Sequence, residues 1–293
     1  MPINLGELSK PATALIEKIS DAIGGIFKPC QIKRIAKAEA EADIIRALAK
    51  IKISKMQRRA LGRFVAEETK KQANIEAITA KAIPHLRQEA HPENIEDDWI
   101  TNFFDKCRLI SDSQMQSLWS RVLAGEANSP GSYSKRTVSF MSSLDKKDAE
   151  LFTKLCTFGW VIGEFAPLIY DFEDEIYKKH EITFNTLKHL DGIGLTQSET
   201  LTRYSRGGLP KQPVVHYYGA PTVLELRNES DNQMDIGHVL LTSIGNELAP
   251  ICGSCSDAEF REYTLQLWRG MGYIKKEGTE QATPADGSQP PLT

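Results

Sequence analysis

The 293-residue sequence predicts a mainly α protein, with helical N-terminal and central regions followed by a small α+β module shaped like a winged helix. Three observations carry that expectation. The stretch from Gln31 to Leu86 is rich in Ala, Lys, Glu and Arg and holds no proline before Pro84, which suits long helix. Between His91 and Phe152, apolar residues recur at three- and four-residue spacing. From Ile182 to Ile251 the order becomes helix, strand-like segments, helix.

The first predicted helix starts near Pro11 and carries Leu15, Ile16, Ile19, Ile23 and Ile26 on one face, until Gly24-Gly25 and Pro29 break it. The Gln31 to Leu86 stretch then reads as one long helix or as two joined near Gly62. Its apolar face is narrow (Ile35, Ala38, Ala42, Ile45, Ala49), a seam that permits close approach of a second helix. Residues 28–59 hold ten Lys or Arg against Glu39, Glu41 and Asp43, a local charge of +7 in a chain of net −3, so the remainder carries −10. A basic segment on an acidic body suits an anionic surface, nucleic acid or the acidic face of a second copy.

From His91, Trp99, Phe103, Phe104 and Cys107 form one apolar face, with Asn94 as a cap and acids at 96–98 suiting the helix N-terminus. A further helix opens at Ser111 or Ser113, carries Met115, Leu118, Trp119, Val122 and Leu123, and is expected to stop at Gly125. Ser132 or Ser134 then caps a helix with Val138, Met141 and Leu144. The corner between the two, LWSRVLAGEANSPGSYSKRTVSFMSSL at 118–144, holds the residues a mechanism would want: Glu126, Ser132, Ser134, Lys135 and Arg136. A carboxylate beside a guanidinium can position a phosphate or activate water, with backbone donors at a helix N-terminus. The structural alternative is an ion pair from Glu126 to Arg136 that closes the turn.

Trp160, Phe165, Tyr170 and Phe172 read as core, and the closely spaced acids Asp171, Glu173, Asp174 and Glu175 point around a helix rather than converge on a cation. In the winged-helix-like module the candidate nucleic-acid contacts are Lys188 on its helix and Arg203, Arg206 and Lys211 on its loop, fewer charges than the roughly 6–10 phosphate contacts of tight binders. Cys252 and Cys255 have redox or zinc spacing, but zinc would need further ligands, with only His216 and His238 near in sequence, and the pair follows a helix where a thioredoxin-type site follows a strand. No metal, cofactor or catalytic residue is assigned. No apolar run approaches the roughly 18 residues of a membrane span, the N-terminus lacks secretory order, and five cysteines suit a reducing compartment, so the expected location is cytoplasmic.

The corner with its continuation DKKDAELF, the upstream AKAEAEADIIRA and DDWITNFFDKC, and the downstream LTSIGNELAPI together resemble a bacterial family called domain of unknown function 2806, over roughly residues 5 to 275. The corner and the LT..G.EL element also resemble the abortive-infection alpha family of phage-resistance proteins. The resemblance supplies no catalytic residue. It implies a helical bacterial protein of phage defence, with 118–144 as a shared structural signature. The leading expectation for function is a non-enzymatic sensor or effector acting through oligomerisation and partner contacts. Two alternatives stand beside that: a winged-helix nucleic-acid-binding regulator, and a hydrolase using Glu126 and Arg136. The expected partner is a second copy of the chain; a protein encoded nearby, nucleic acid, and a membrane surface met through the N-terminal helices are the other candidates. The expected organisation is a basic helical region at 1–90, a central helical core at 91–180, the winged-helix-like module at 181–276 and a disordered tail at 277–293.

Overall fold

The computed structural model describes residues 9–23 and 54–274. Ile26, most of the basic segment, the seam from Ile35 to Ala49 and the tail at 277–293 lie outside the described residues. The chain separates into two units: one of Met1–Cys156, Asn185–Gln197 and Leu241–Ser254, the other of Thr157–Phe184, Ser198–Leu240 and Cys255–Thr293.

The first unit is helical. Helix α1 (Lys10–Ile23) buries Ala12, Leu15 and Ile19 against the Pro92–Asn94 turn and helix α3 (Asp97–Cys107). The stripe expected to seek a partner or a membrane is thus partly spent inside the chain, while Ile16 and Ile23 stay half-buried. Helix α2 (Lys55–Ala82) opens with a capping box between Ser54 and Gln57 and runs unbroken through Gly62. It buries nothing before Asn74, and from there Ile75, Ile78 and Ala82 pack on helix α4 (Ser113–Asn128). Asn74 and Gln116 satisfy each other and the Arg108 and Ile110 carbonyls where the two helices meet. The aromatic centre is Trp99, Phe103, Phe104 and Trp119, stacked or edge-on at about 5 Å. Helices α5 (Lys135–Met141) and α6 (Lys146–Cys156) follow.

The second unit is built on β-structure. Strands β1 (Gly159–Ile162) and β2 (Glu164–Pro167) form a hairpin, and after the short helix α7 (Glu175–Lys178) and helix α8 (Phe184–Gly192) come β3 (Thr196–Ser198), β4 (Tyr204–Leu209), β5 (Val214–Tyr217), β6 (Ala220–Val223), β7 (Asn232–Gly237) and β8 (Val239–Leu241). They form a four-stranded antiparallel sheet in the order β2-β1-β5-β6 and two pairs, β3 with β8 and β4 with β7. The β5–β6 turn places Tyr218 and Gly219 at φ 48° and 82°, the left-handed pair that a two-residue hairpin turn needs. Helix α9 (Ser243–Leu248) returns to the first unit, to which α8 belongs from Asn185 onward, and α10 (Ala258–Gly270), in the second, is the last helix among the described residues. Trp160, Tyr217, Trp268, Phe158, Phe260 and Tyr177 form the core, with Trp268 Nε1 donating to the Tyr170 hydroxyl.

The expected mainly α class is corrected by these strands. Of the described residues, 54% are helical and 14% strand, distributed over several antiparallel sheets, which makes the fold mixed α+β. Nor is there a winged helix among them. A wing hairpin would belong with the helices that flank it; here the β5–β6 hairpin extends the sheet of the Trp160 hairpin, far back in sequence, through the β1–β5 pairing, while α8 from Asn185 onward and α9 belong to the helical unit. The segment TVLELR, read as strand to Arg227, leaves the ladder at Val223; Leu224 and Leu226 are still buried, with their amides bonded to Pro213 and Lys211 carbonyls.

Candidate functional site

Helix α4 does not stop at Gly125 but continues to Asn128. The glycine serves a contact instead: a Cβ there would lie 2.5 Å from the Tyr133 ring, so the returning loop can fold against the helix only because the side chain is absent. One residue on, Glu126 is 2% exposed, and its carboxylate accepts from the Gly131 amide at 2.7 Å and the Tyr133 amide at 3.0 Å. Burial raises its pKa, partly offset by the amides of residues 131, 133 and 132. The expected ion pair with Arg136 does not form, because both carboxylate oxygens are taken by the loop backbone and Arg136 points to solvent. Lys135 reaches Asp98 at 3.5 Å, and the Ser132 hydroxyl donates to the Ser129 carbonyl.

Ser134 caps α5, accepting from the Thr137 amide, while its own amide donates to Glu247 at 2.8 Å. Glu247 belongs to LTSIGNEL, so the two stretches that stand out in the sequence meet. In the second stretch Thr242 caps α9, and a Cβ on Gly245 would fall 2.2 Å from the Leu195 carbonyl oxygen. Gly125, Glu126, Ser134, Thr242 and Gly245 are accounted for by a cap, a close approach or a loop clamp, while Lys135 and Arg136 stay exposed.

One turn before Gly125 lies Arg121. It stands between two clefts of about 520 Å³ and 420 Å³. The larger has apolar walls of Met115, Leu118, Phe152 and Leu248, and Cys252 at its edge. Arg121 Nη2 lies 3.5 Å from the Cys252 carbonyl, the Thr153 hydroxyl donates to the same oxygen at 3.2 Å, and Arg121 Nε is buried with no partner. Gly253, at φ 87°, takes the left-handed turn against the guanidinium. No sequence signal isolates Arg121 except its spacing of four from Gly125, which puts both on one helix face.

The nucleic-acid candidates are dispersed and engaged. Lys188 pairs with Asp191 in α8 of the helical unit, Arg203 with Asp235 at 2.9 Å and the Tyr170 carbonyl, Arg206 with Glu164 at 2.8 Å, and Lys211 with Glu229. In the acidic run, Asp174 accepts from the Tyr263 hydroxyl, Glu173 and Glu175 face Lys178, and Asp171 caps its own turn. Among the described residues no group of three or more His, Cys, Asp or Glu is placed to hold a metal ion, and no helix is long and apolar enough to cross a membrane. Cys252 and Cys255 fall into different units, and the thiol that bonds to Cys252 is Cys156, at the end of α6.

The family model described as protein of unknown function (DUF2806) matches residues 58–265, most of the chain, and the protein belongs to that family. No curated protein and no solved structure matches it.

Proposed function

We propose that this member of the family is a cytoplasmic, non-enzymatic sensor or effector of bacterial phage defence that works by self-association through α2. The observation that carries the reading is the first two-thirds of that helix. Nothing between Lys55 and Gln72 is buried, Met56 and Phe64 are 73% and 58% exposed, and Lys55, Arg58, Arg59 and Arg63 are exposed beside them. Helices in proteins take most of their stability from a packed face, and this one runs roughly 27 Å, at 1.5 Å per residue, with side chains at most half-buried before the first buried one at Asn74. A second copy fits as occupant on charge, since the basic segment of one chain faces a remainder of −10 in another. The engaged state of Glu126 and of the loop cations lends no support to the hydrolase or nucleic-acid readings.

The defence assignment rests on the resemblance to the abortive-infection family; the assembly rests on α2. Light scattering of the full chain is expected to show an oligomer, and Met56→Asp with Phe64→Asp a monomer of unchanged helical circular dichroism. A wild-type monomer, or a variant that still assembles, overturns the assembly. Cells carrying the gene with its neighbours should plate phage less efficiently, and equal plating with and without the gene removes the defence role.

A further inference from the structure

Two thiols stand where the larger cleft meets the interior of the helical unit. Cys156 ends α6 and is fully buried, and Cys252 follows the Ala249–Ile251 turn and lines the cleft. The sulfurs hydrogen-bond to each other, and as a thiol Cys252 can also donate to the Ala249 carbonyl at 3.2 Å. Arg121 from α4 and Thr153 from α6 fix the Cys252 carbonyl, so the turn that carries the sulfur is held in register with α6. We propose that this pair is a redox site: Cys252 is the thiol that a hydroperoxide reaches through the cleft, and Cys156 is the thiol that resolves the product into a disulfide.

The chemistry balances within the named groups. The Cys252 thiolate attacks one oxygen of the hydroperoxide, the O–O bond breaks, and the alkoxide or hydroxide leaves with a proton from solvent, giving a sulfenic acid at Cys252. Cys156 then passes its proton to the departing hydroxyl as its sulfur, now thiolate, attacks the Cys252 sulfur; the S–O bond breaks and water leaves, giving the 156–252 disulfide. The oxidant is reduced by two electrons and the two thiols are oxidised by two.

The local environments divide the two roles. Burial first, and then the neighbouring Cys252, push the Cys156 thiol well up, so it keeps its proton. Its donation to Cys252, with help from Ser254 and Thr153 and against burial, holds Cys252 down at about 6. Around Cys252 the charged groups of the cleft are Arg121 on α4 and Lys146, Glu150 and Lys154 on α6. The cleft of about 520 Å³ is ample for a small hydroperoxide, and Cys156 has no exposed surface by which to compete for it.

The test treats full-length protein with stoichiometric hydrogen peroxide and maps its cysteines by mass spectrometry. Wild type is expected to give a 156–252 cross-linked peptide that dithiothreitol reverses, with a raised melting temperature from the closed loop. Cys252→Ser should lose the cross-link, and Cys156→Ser should leave a sulfenic acid at Cys252 that dimedone traps. Iodoacetamide should label Cys252 in wild type with a midpoint near pH 6, well below an ordinary thiol. Peroxide consumed by the exposed Cys255 alone, or a wild-type Cys252 that is neither oxidised nor labelled ahead of it, overturns the proposal whether or not the variants fold. Self-association through α2 is scored separately, so either reading can fail alone.

Discussion

Replacing Glu126 by Ala separates a loop clamp from an ion pair. In the folded chain the carboxylate satisfies the buried amide of Tyr133 and the partly buried amide of Gly131. Removing it strands both, and a buried polar group left unsatisfied costs about 1–3 kcal/mol. With the Gly131 amide discounted because that residue is exposed, the loss should be about 2–4 kcal/mol. At this chain length that corresponds to a fall in melting temperature of roughly 5–15 °C. Arg136→Ala should cost no more than about 0.5 kcal/mol, the range of an ordinary surface change. Differential scanning calorimetry on both variants measures the contrast. The pH dependence adds a signed check: the folded pKa of Glu126 lies above its unfolded value, so its contribution is fully present below the unfolded pKa of about 4.3 and declines as pH rises through the folded value. Wild type should therefore gain on Glu126→Gln at pH 4 and lose ground toward pH 7. Equal losses in Glu126→Ala and Arg136→Ala, or a Glu126→Ala protein that melts with wild type, would refute the clamp.

Gly125→Ala should destabilise by about 1–3 kcal/mol in chemical denaturation, since its Cβ would press on the Tyr133 ring. Leu15→Ala should cost about 2–5 kcal/mol, because the side chain is fully buried, and trimming residues 1 to 30 should lower the melting point of the helical unit rather than leave it untouched. Wild type should show no salt-dependent shift of duplex DNA in a gel, and charge reversal of Arg203, Arg206 and Lys211 should change no DNA affinity while placing like charges against Asp235, Glu164 and Glu229. A DNA affinity that collapses in that triple variant would restore the nucleic-acid reading.

Local chemistry was legible in the sequence. The apolar faces of Trp99, Phe103, Phe104 and Cys107 and of Met115, Leu118, Trp119, Val122 and Leu123, the cap at Ser134 and the apolar stripe at Leu15 and Ile19 all follow from periodicity and side-chain hydrogen bonding within a few residues, the range over which a sequence constrains itself. The family was legible too, and its model matches residues 58–265. What tertiary structure decided was every partner at long range. Gly125 has the sequence profile of a helix stop, and only the return of Tyr133 turned it into a contact inside the helix. Glu126 could equally have met a guanidinium or a backbone, and the amides of Gly131 and Tyr133 took one oxygen each. GWVI beside EFAP reads as apolar core in either class of structure, since a short apolar run carries no period, and pairing of the two with each other and of GWVI with residues 214–217 made them strands and with that the fold α+β. Cys252 has its sequence neighbour in Cys255 and its bonding neighbour in Cys156, because the side chain a sulfur meets is set by how α6 and the turn after α9 pack, which no local spacing encodes.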